Sequence, residues 1–220
     1  MICGVDEAGK GSVLGPMVVA AVGVPSDDLF SDLEVKDSKL LSAGKREHLF
    51  GLIKERCSIA TVIIPAEEID ARRKEVSMNM CVAQAHAAVI SRLQPAIAYV
   101  DACDVNPKRY ARMVRENLSG MVCEIVSEHH ADRTYKIVSA ASIVAKVVRD
   151  REVRQFSRTY GDIGSGYPSD PATIAFLISY IREHHQPPAC ARKSWKTVVA
   201  LIADREQSTL AFGAGTEDLP

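Results

Sequence analysis

Short apolar runs alternate with longer amphipathic stretches along the chain, which is the pattern of a sheet covered by helices. The predicted strands are MICGV at the start and residues 13–24, 58–66, 95–102 and 121–128. The predicted helices are residues 42–56, 67–93, 108–118, 170–184 and 194–204, and a longer helix that begins at Ser139. Three early strands precede two later strands that helices separate, so we expect an α/β fold with a mixed five-stranded sheet flanked by helices.

A Gly- and Pro-rich connector, GDIGSGYPSDP, follows the longest predicted helix. The 220 residues suffice for one sizeable core. We therefore predict a main domain over residues 1–160, a C-terminal helical region over residues 161–206 packed on it, and a flexible tail over residues 207–220.

Composition and charge exclude several classes of protein. The net charge is −1, so any polyanionic partner must be met by a local basic patch or by metal ions. The six cysteines are scattered without a C-x-x-C pair, which predicts a reducing compartment and neither a disulfide framework nor a zinc site. Without a signal segment or a stretch of transmembrane length, we expect a cytoplasmic protein with no membrane partner.

The segment GVDEAGKGS, residues 4–12, is open to two interpretations. Residues 4–10 match the G-x-x-x-x-G-K spacing of a P-loop, which would make the protein a nucleotide-binding switch. However, Gly11 follows Lys10 where a P-loop needs Ser or Thr, and the carboxylates of Asp6 and Glu7 would cancel the positive field of such a loop. We therefore favour a carboxylate site.

Acidic residues also end a second predicted strand. Asp101 follows an apolar run, and carboxylates at the ends of neighbouring strands can converge if a hard divalent cation such as Mg²⁺ neutralises them. The alternative for Asp6, Glu7 and Asp101 is a solvated turn and a strand-end cap. Asp132 and Asp150 compete as a fourth ligand, and spacing does not choose between them, although Asp150 can instead pair with Arg154 on its helix.

Five segments in order resemble the ribonuclease HII family, the type 2 ribonucleases H. They are GVDEAGKG, KDSKLL, YVDA, SAASIVAKVVRDR and GSGYPSDP, and the resemblance covers residues 1 to about 200. The segments GYPSDP and RKSWKT are most similar to those of archaeal members. The resemblance implies a ribonuclease H-like fold, with residues 1–160 as the catalytic domain.

The same resemblance implies an endoribonuclease that cleaves the RNA strand of RNA–DNA hybrids and incises at single ribonucleotides in duplex DNA. It implies two divalent ions, Mg²⁺ or Mn²⁺, and products with 3′-hydroxyl and 5′-phosphate ends. The implied metal ligands and catalytic residues are Asp6, Glu7, Asp101 and Asp132, and Asp150 is not among them.

Substrate contacts are implied as well. Gly9, Lys10 and Gly11 match a segment that contacts the 2′-hydroxyl of the ribonucleotide, and Tyr167 matches a tyrosine that packs on the next sugar. Candidate phosphate contacts are Lys39 and Lys146, which lie in matched segments, and Arg149, Arg192, Lys193 and Lys196, for which a solvated surface charge is the alternative.

Three single positions qualify the picture. Lys10 stands where the family commonly has Arg, so a bidentate phosphate contact becomes a point charge. Ser12 stands where the family often has Pro, which we expect to loosen the loop slightly. Trp195, the single tryptophan, could anchor the last helix in the core or face the nucleic acid, and we favour the core.

The residues QSTLAF, 207–212, are a broken version of the clamp-binding peptide Q-x-x-L-x-x-aromatic-aromatic. Gln207 and Leu210 fit, but Phe212 is a single aromatic one place early, so chance explains the match equally well. The expected partners are RNA–DNA hybrid and ribonucleotide-containing duplex DNA, with the sliding clamp left open, and we expect a monomer. Alternative functions are a resolvase- or integrase-like nuclease and a non-catalytic, clamp-associated module that binds hybrids.

Overall fold

The computed structural model describes residues 1–26, 30, 35 and 41–213, with side chains up to Arg205. The strands are β1 (Ile2–Ala8), β2 (Met17–Val24), β3 (Ser58–Ile64), β4 (Ile97–Asp101) and β5 (Glu124–Glu128). They form one sheet in the order β3-β2-β1-β4-β5. The β1–β2 and β2–β3 pairs are antiparallel, whereas β1–β4 and β4–β5 are parallel. The mixed five-stranded sheet was therefore predicted correctly.

The helices of the described residues surround this sheet. They are α1 (Ala43–Arg56), α2 (Ala66–Arg72), α3 (Met78–Leu93), α4 (Pro107–Glu116), α5 (Ala131–Thr134), α6 (Lys136–Tyr160), α7 (Pro171–His184) and α8 (Lys196–Gly213). Within the described part of the chain, no helix combines the length and apolar character needed to cross a membrane.

Two predicted helices differ from the structure. The single helix predicted over residues 67–93 is two helices, because the Ser77 side chain accepts a hydrogen bond from the Met80 backbone and so begins α3 anew. The long helix begins at Lys136 rather than at Ser139. Ser139 lies buried within α6, where its hydroxyl donates to the carbonyl of Val35 instead of capping the helix.

Other boundaries shift as well. The first strand extends past MICGV to Ala8, so that Asp6 and Glu7 lie within β1. The second strand begins at Met17 rather than at residue 13, since Leu14 forms an isolated bridge with Ala191. The last helix continues to Gly213, so the first residues of the predicted tail are helical.

The sheet separates two cores. In one core, α3 and α4 pack against one face of the sheet, and in the other, α1 and α6 pack against the opposite face. Gly4 allows α6 to lie directly on β1, because a Cβ at this position would come within 2.3 Å of the Ile137 backbone. The α6 helix therefore carries its side chains close to the end of β1.

A third cluster of buried side chains joins the C-terminal helices to the segment after β1. Its members include Val13, Leu14, Val153, Leu177 and Val198. Trp195 is half-buried and packs against both this cluster and the α3–α4 core, in keeping with its predicted anchoring role. The C-terminal region thus packs directly against the residues that follow Asp6 and Glu7.

Candidate functional site

Asp6 lies near the carboxyl end of β1 with its carboxylate close to α6. The residue is only 5% exposed. Burial, the neighbouring Glu7 carboxylate and, to a smaller extent, the Asp101 carboxylate raise the pKa of Asp6, which reaches about 8. The charge of Lys146 and a hydrogen bond with Ser142, both on α6, oppose this shift. The positive charge of Lys146 therefore only partly offsets the effect of burial and of the neighbouring carboxylates on Asp6.

Glu7 faces the opposite side of the sheet, as the next residue on a strand must. Nε2 of His86 lies 3.3 Å from its Oε2, and the Cys103 thiol donates to its Oε1 at 2.9 Å. His86 is fully buried, and its Nδ1 lies 3.2 Å from the Tyr110 hydroxyl. Burial favours the neutral acid, but the bonds from His86 and Cys103 and the charge of Lys10 outweigh it and lower the pKa of Glu7.

Asp101 ends β4, the parallel neighbour of β1. Its Oδ1 accepts the backbone N–H of Ala131 at 3.1 Å, which ties the end of β4 to the start of α5. The next residue on α5 is Asp132, which is 8% exposed. The structure thus brings Asp101 near Asp6 and places Asp132 on the helix turn that Asp101 holds.

Asp150 has a different environment. Its Oδ2 lies 3.2 Å from Nη2 of Arg46, and its side chain is 37% exposed. The alternative pairing predicted for it, with Arg154, is wrong, because Arg154 instead pairs with Glu47 at 2.8 Å.

The acidic residues have the donor chemistry of a divalent-cation site, since carboxylate oxygens are the ligands that Mg²⁺ and Mn²⁺ prefer. Among the residues described, no three His, Cys, Asp or Glu side chains are close enough to form a ligand group. The separation of Asp6 from Glu7 follows from the strand pleat, which directs them to opposite sides of the sheet. Because the pKa of Asp6 is raised, its ionised form is destabilised, and added positive charge would stabilise that form.

The loop after β1 has an inner and an outer side. Gly9 has a φ of +84°, and a Cβ there would lie 2.6 Å from the Pro16 carbonyl oxygen, so only glycine fits. Gly11 faces open space, because a Cβ added there would meet no atom within 4 Å. Lys10 turns its Nζ inward to Oδ1 of Asn79 at 3.0 Å and to the Cys103 carbonyl at 2.9 Å.

Tyr167 lies beside this loop. The carbonyl of its neighbour Gly166 accepts the backbone N–H groups of Val13 and Leu14 at 2.8 and 3.1 Å. The guanidinium carbon of Arg149 lies 4.5 Å from the centre of the half-buried Tyr167 ring. The structure therefore brings Tyr167 and the Gly9–Gly11 segment together.

The basic candidates divide into two groups. Arg149 and Arg192 are 4% and 0% exposed, so the surface-charge alternative is wrong for both. Arg192 donates to the carbonyls of Gly9, Lys10 and Gly15, a role that sequence reasoning missed. The four lysines form the other group. Lys193 and Lys196 are exposed, and Lys146 donates a hydrogen bond to Ser142. Lys39 lies outside the described residues.

Comparisons with known proteins agree with these observations. A family model described as Ribonuclease HII matches residues 3–198. The ribonuclease HII of Methanoregula boonei is 65% identical over 210 residues, which are 96% of this chain and 98% of that protein.

Two solved structures are also similar. One is from the PCNA:RNase HII complex of Archaeoglobus fulgidus, with 43% identity, a TM-score of 0.85, and coverage of 91% of this chain and 96% of that one. The other is ribonuclease H2 from Pyrococcus horikoshii OT3, with 37% identity, a TM-score of 0.87, and coverage of 94% and 99%. The chain therefore belongs to the ribonuclease HII family and is an endoribonuclease that cleaves RNA in RNA–DNA hybrids.

Proposed function

We propose that Asp6, Glu7, Asp101 and Asp132 hold two divalent ions, Mg²⁺ or Mn²⁺, for hydrolysis of the phosphodiester to 3′-hydroxyl and 5′-phosphate ends. When bound, such ions supply Lewis acidity and neutralise charge on the phosphate. The observation that carries the proposal is the burial of Asp6 beside the carboxylates of Glu7 and Asp101, which together raise the pKa of Asp6 to about 8. A bound cation offsets both the burial cost and the repulsion, and so stabilises the ionised form of the acids.

The residues around the carboxylates have supporting parts. His86 and Cys103 orient the two oxygens of Glu7. Lys146 places positive charge beside Asp6, where it also favours approach of a phosphate.

We further propose that the Gly9–Gly11 segment contacts the 2′-hydroxyl of a ribonucleotide and that Tyr167 packs on the adjacent sugar. A 2′-hydroxyl is recognised when backbone groups of the protein approach it closely, and the open space around Gly11 permits that approach. The Arg149 contact holds the Tyr167 ring beside that segment. These features favour incision at single ribonucleotides embedded in duplex DNA as well as cleavage of longer hybrids.

The test uses labelled duplex DNA with one ribonucleotide, the same duplex entirely of DNA, and a four-way DNA junction. We expect incision of the first substrate alone, with Mg²⁺ or Mn²⁺ but not with a chelator, and with a 5′-phosphate product detected by its loss on phosphatase treatment. Junction cleavage would support the resolvase alternative, and binding without incision under every metal condition would support the non-catalytic one.

For the sliding clamp, we propose contact through residues 207–212. The support is the QSTLAF sequence together with the solved complex of PCNA with the relative from Archaeoglobus fulgidus. In size-exclusion chromatography with an archaeal PCNA, we expect the chain alone to elute as a monomer and the mixture to co-elute. Phe212→Ala should abolish co-elution without changing incision; unchanged co-elution would refute the assignment of this segment.

A further inference from the structure

Arg192 is a fully buried arginine whose side-chain hydrogen bonds go to a single loop far away in sequence. Its Nη2 donates to the Gly9 carbonyl at 2.6 Å, and its Nη1 donates to the Lys10 carbonyl at 2.9 Å. Its Nε and Nη2 both lie 3.2 Å from the Gly15 carbonyl. One guanidinium therefore binds both ends of the segment between β1 and β2.

The segment around Arg192 reinforces this attachment. The Arg192 backbone N–H donates to the Val13 carbonyl at 2.9 Å, and the Gly15 N–H donates to the Cys190 carbonyl at 2.8 Å. On its other side, the guanidinium lies 4.9 Å from the Trp195 ring. The arginine is thus fixed between a half-buried aromatic ring and the loop.

Stability alone is a poor explanation for this arrangement. Burying a guanidinium has a large desolvation cost, and apolar side chains of similar volume are often as stabilising as a buried charge. Burial and the nearby Arg149 lower the pKa of Arg192 to about 9, which still leaves it charged at neutral pH. What an apolar residue cannot do is bind three carbonyl oxygens at once.

The orientation of those carbonyls determines what the loop presents to a ligand. The peptide bonds of the described residues are trans, so the N–H of each unit points opposite to its carbonyl. With the Gly9 and Lys10 carbonyls directed inward to Arg192, the N–H groups of Lys10 and Gly11 point away from it. Gly11 lies on the open side of the loop.

We propose that Arg192 is a positioning residue for ribonucleotide recognition. By holding the Gly9 and Lys10 carbonyls, it directs the Lys10 and Gly11 N–H groups toward an oxygen of the ribonucleotide. This inference rests on the proposed contact of the Gly9–Gly11 segment with the 2′-hydroxyl, and it adds the residue that shapes that segment. Arg192 contacts no substrate itself, because it is 0% exposed.

The test compares the affinities of two duplexes that differ in one 2′-hydroxyl. Fluorescence anisotropy gives the dissociation constants for the single-ribonucleotide duplex and for the all-DNA duplex, with Ca²⁺ in place of Mg²⁺. For Arg192→Lys, which keeps the charge but loses the planar fork, we expect the preference for the ribonucleotide duplex to fall about tenfold. Affinity for the all-DNA duplex should change less than about twofold, because the net charge is unchanged.

Leu177→Ala is the matched control, since Leu177 is buried in the C-terminal cluster that includes Cys190 and Ala191, the residues just before Arg192. It destabilises the region through a cavity and should leave the preference at the wild-type value. A wild-type protein without any preference would refute the proposed 2′-hydroxyl contact itself. A wild-type preference that Arg192→Lys retains would overturn the role of Arg192 and leave the proposed function intact.

A second measurement needs no variant, in case Arg192→Lys does not fold. The amide resonances of Lys10 and Gly11 in the wild-type protein should shift on addition of the single-ribonucleotide duplex and much less with the all-DNA duplex. Equal shifts with the two duplexes would refute the proposed 2′-hydroxyl contact and, with it, a recognition role for Arg192.

Discussion

Asp6 and Glu7 are consecutive carboxylates on β1, and both are shielded from solvent, yet their pKa values move in opposite directions. Asp6 is buried among other acids with a single lysine nearby, so its pKa rises to about 8. Glu7 meets an imidazole, a thiol and the charge of Lys10, so its pKa falls below the ordinary value. The strand pleat turns one residue toward α6 and the other toward α3, and that choice of face decides their electrostatics.

The difference shows how one strand end can serve two purposes. Glu7 is held ionised and oriented by protein donors before any ligand arrives. Asp6 is the acid whose ionised form the protein stabilises too little, so the proposed metal ion would stabilise this residue most. The predictions below test this division from the largest expected effect to the smallest.

Asp6→Asn should have the largest effect. The amide keeps the shape but cannot supply the negative charge, so we expect single-turnover incision of the single-ribonucleotide duplex to fall at least about 10³-fold. Circular dichroism should show an unchanged fold. A residual rate above about one tenth of the wild-type rate would remove Asp6 from the catalytic set.

His86→Phe should weaken the site by disturbing Glu7. The ring keeps its volume in the buried pocket but loses the contact with Oε2, so we expect Mn²⁺ affinity, measured by calorimetric titration, to fall about 10- to 100-fold. Tyr110→Phe is the matched control, because it removes only a hydroxyl that contacts His86 and Cys103 without contacting Glu7, and it should lower the affinity less. Equal effects of the two variants would contradict a direct role of His86.

The metal-free protein should lose stability as the pH rises from about 5 to 8. Asp6 has a higher pKa folded than unfolded, so its contribution is fully present below the unfolded value and is lost as the pH passes the folded value near 8. Glu7 has the opposite sign, and its contribution is lost only in more acidic solution.

Thermal unfolding in chelator measures this dependence. We expect the wild-type Tm to fall by roughly 5 °C or more over that interval, and Asp6→Asn to reduce the fall. A variant with the wild-type slope would assign the dependence to another group.

Cys103→Ala should have the smallest effect. The substitution removes the thiol donor to Oε1 of Glu7 but leaves His86 in place, so Mn²⁺ affinity should fall only about two- to threefold. Cys103→Ser retains a donor and should bind Mn²⁺ like the wild type. A loss with Ser as large as with Ala would show that packing, not the hydrogen bond, is what matters.

Much of the architecture was accessible from the sequence because apolar runs and strand-end acids are local patterns. The mixed sheet follows from the spacing of the strands, and the positions of Asp6, Glu7 and Asp101 follow from where apolar runs end. The break between α2 and α3 was missed because the Ala-rich pattern continues across it, although Ser77 is a recognisable cap.

The partners of the carboxylates were harder to predict. His86 lies on the same helical face as Ala83 and Ile90, so a polar side chain at a core position was its one signal. Arg192 gave no local signal, because its acceptors are backbone carbonyls more than 170 residues earlier. Contacts of that kind depend on tertiary packing rather than on spacing.

The Arg192 contacts also have a consequence for synthesis of the chain. The four candidate carboxylates lie within the first 132 residues, whereas the arginine that shapes the Gly9–Gly11 segment comes 60 residues later. A nascent chain therefore contains its acidic residues well before it can complete the loop beside them. Closure of these distant contacts is a late folding event. During translation, the chain thus contains all four acids before the Gly9–Gly11 segment can reach its final conformation.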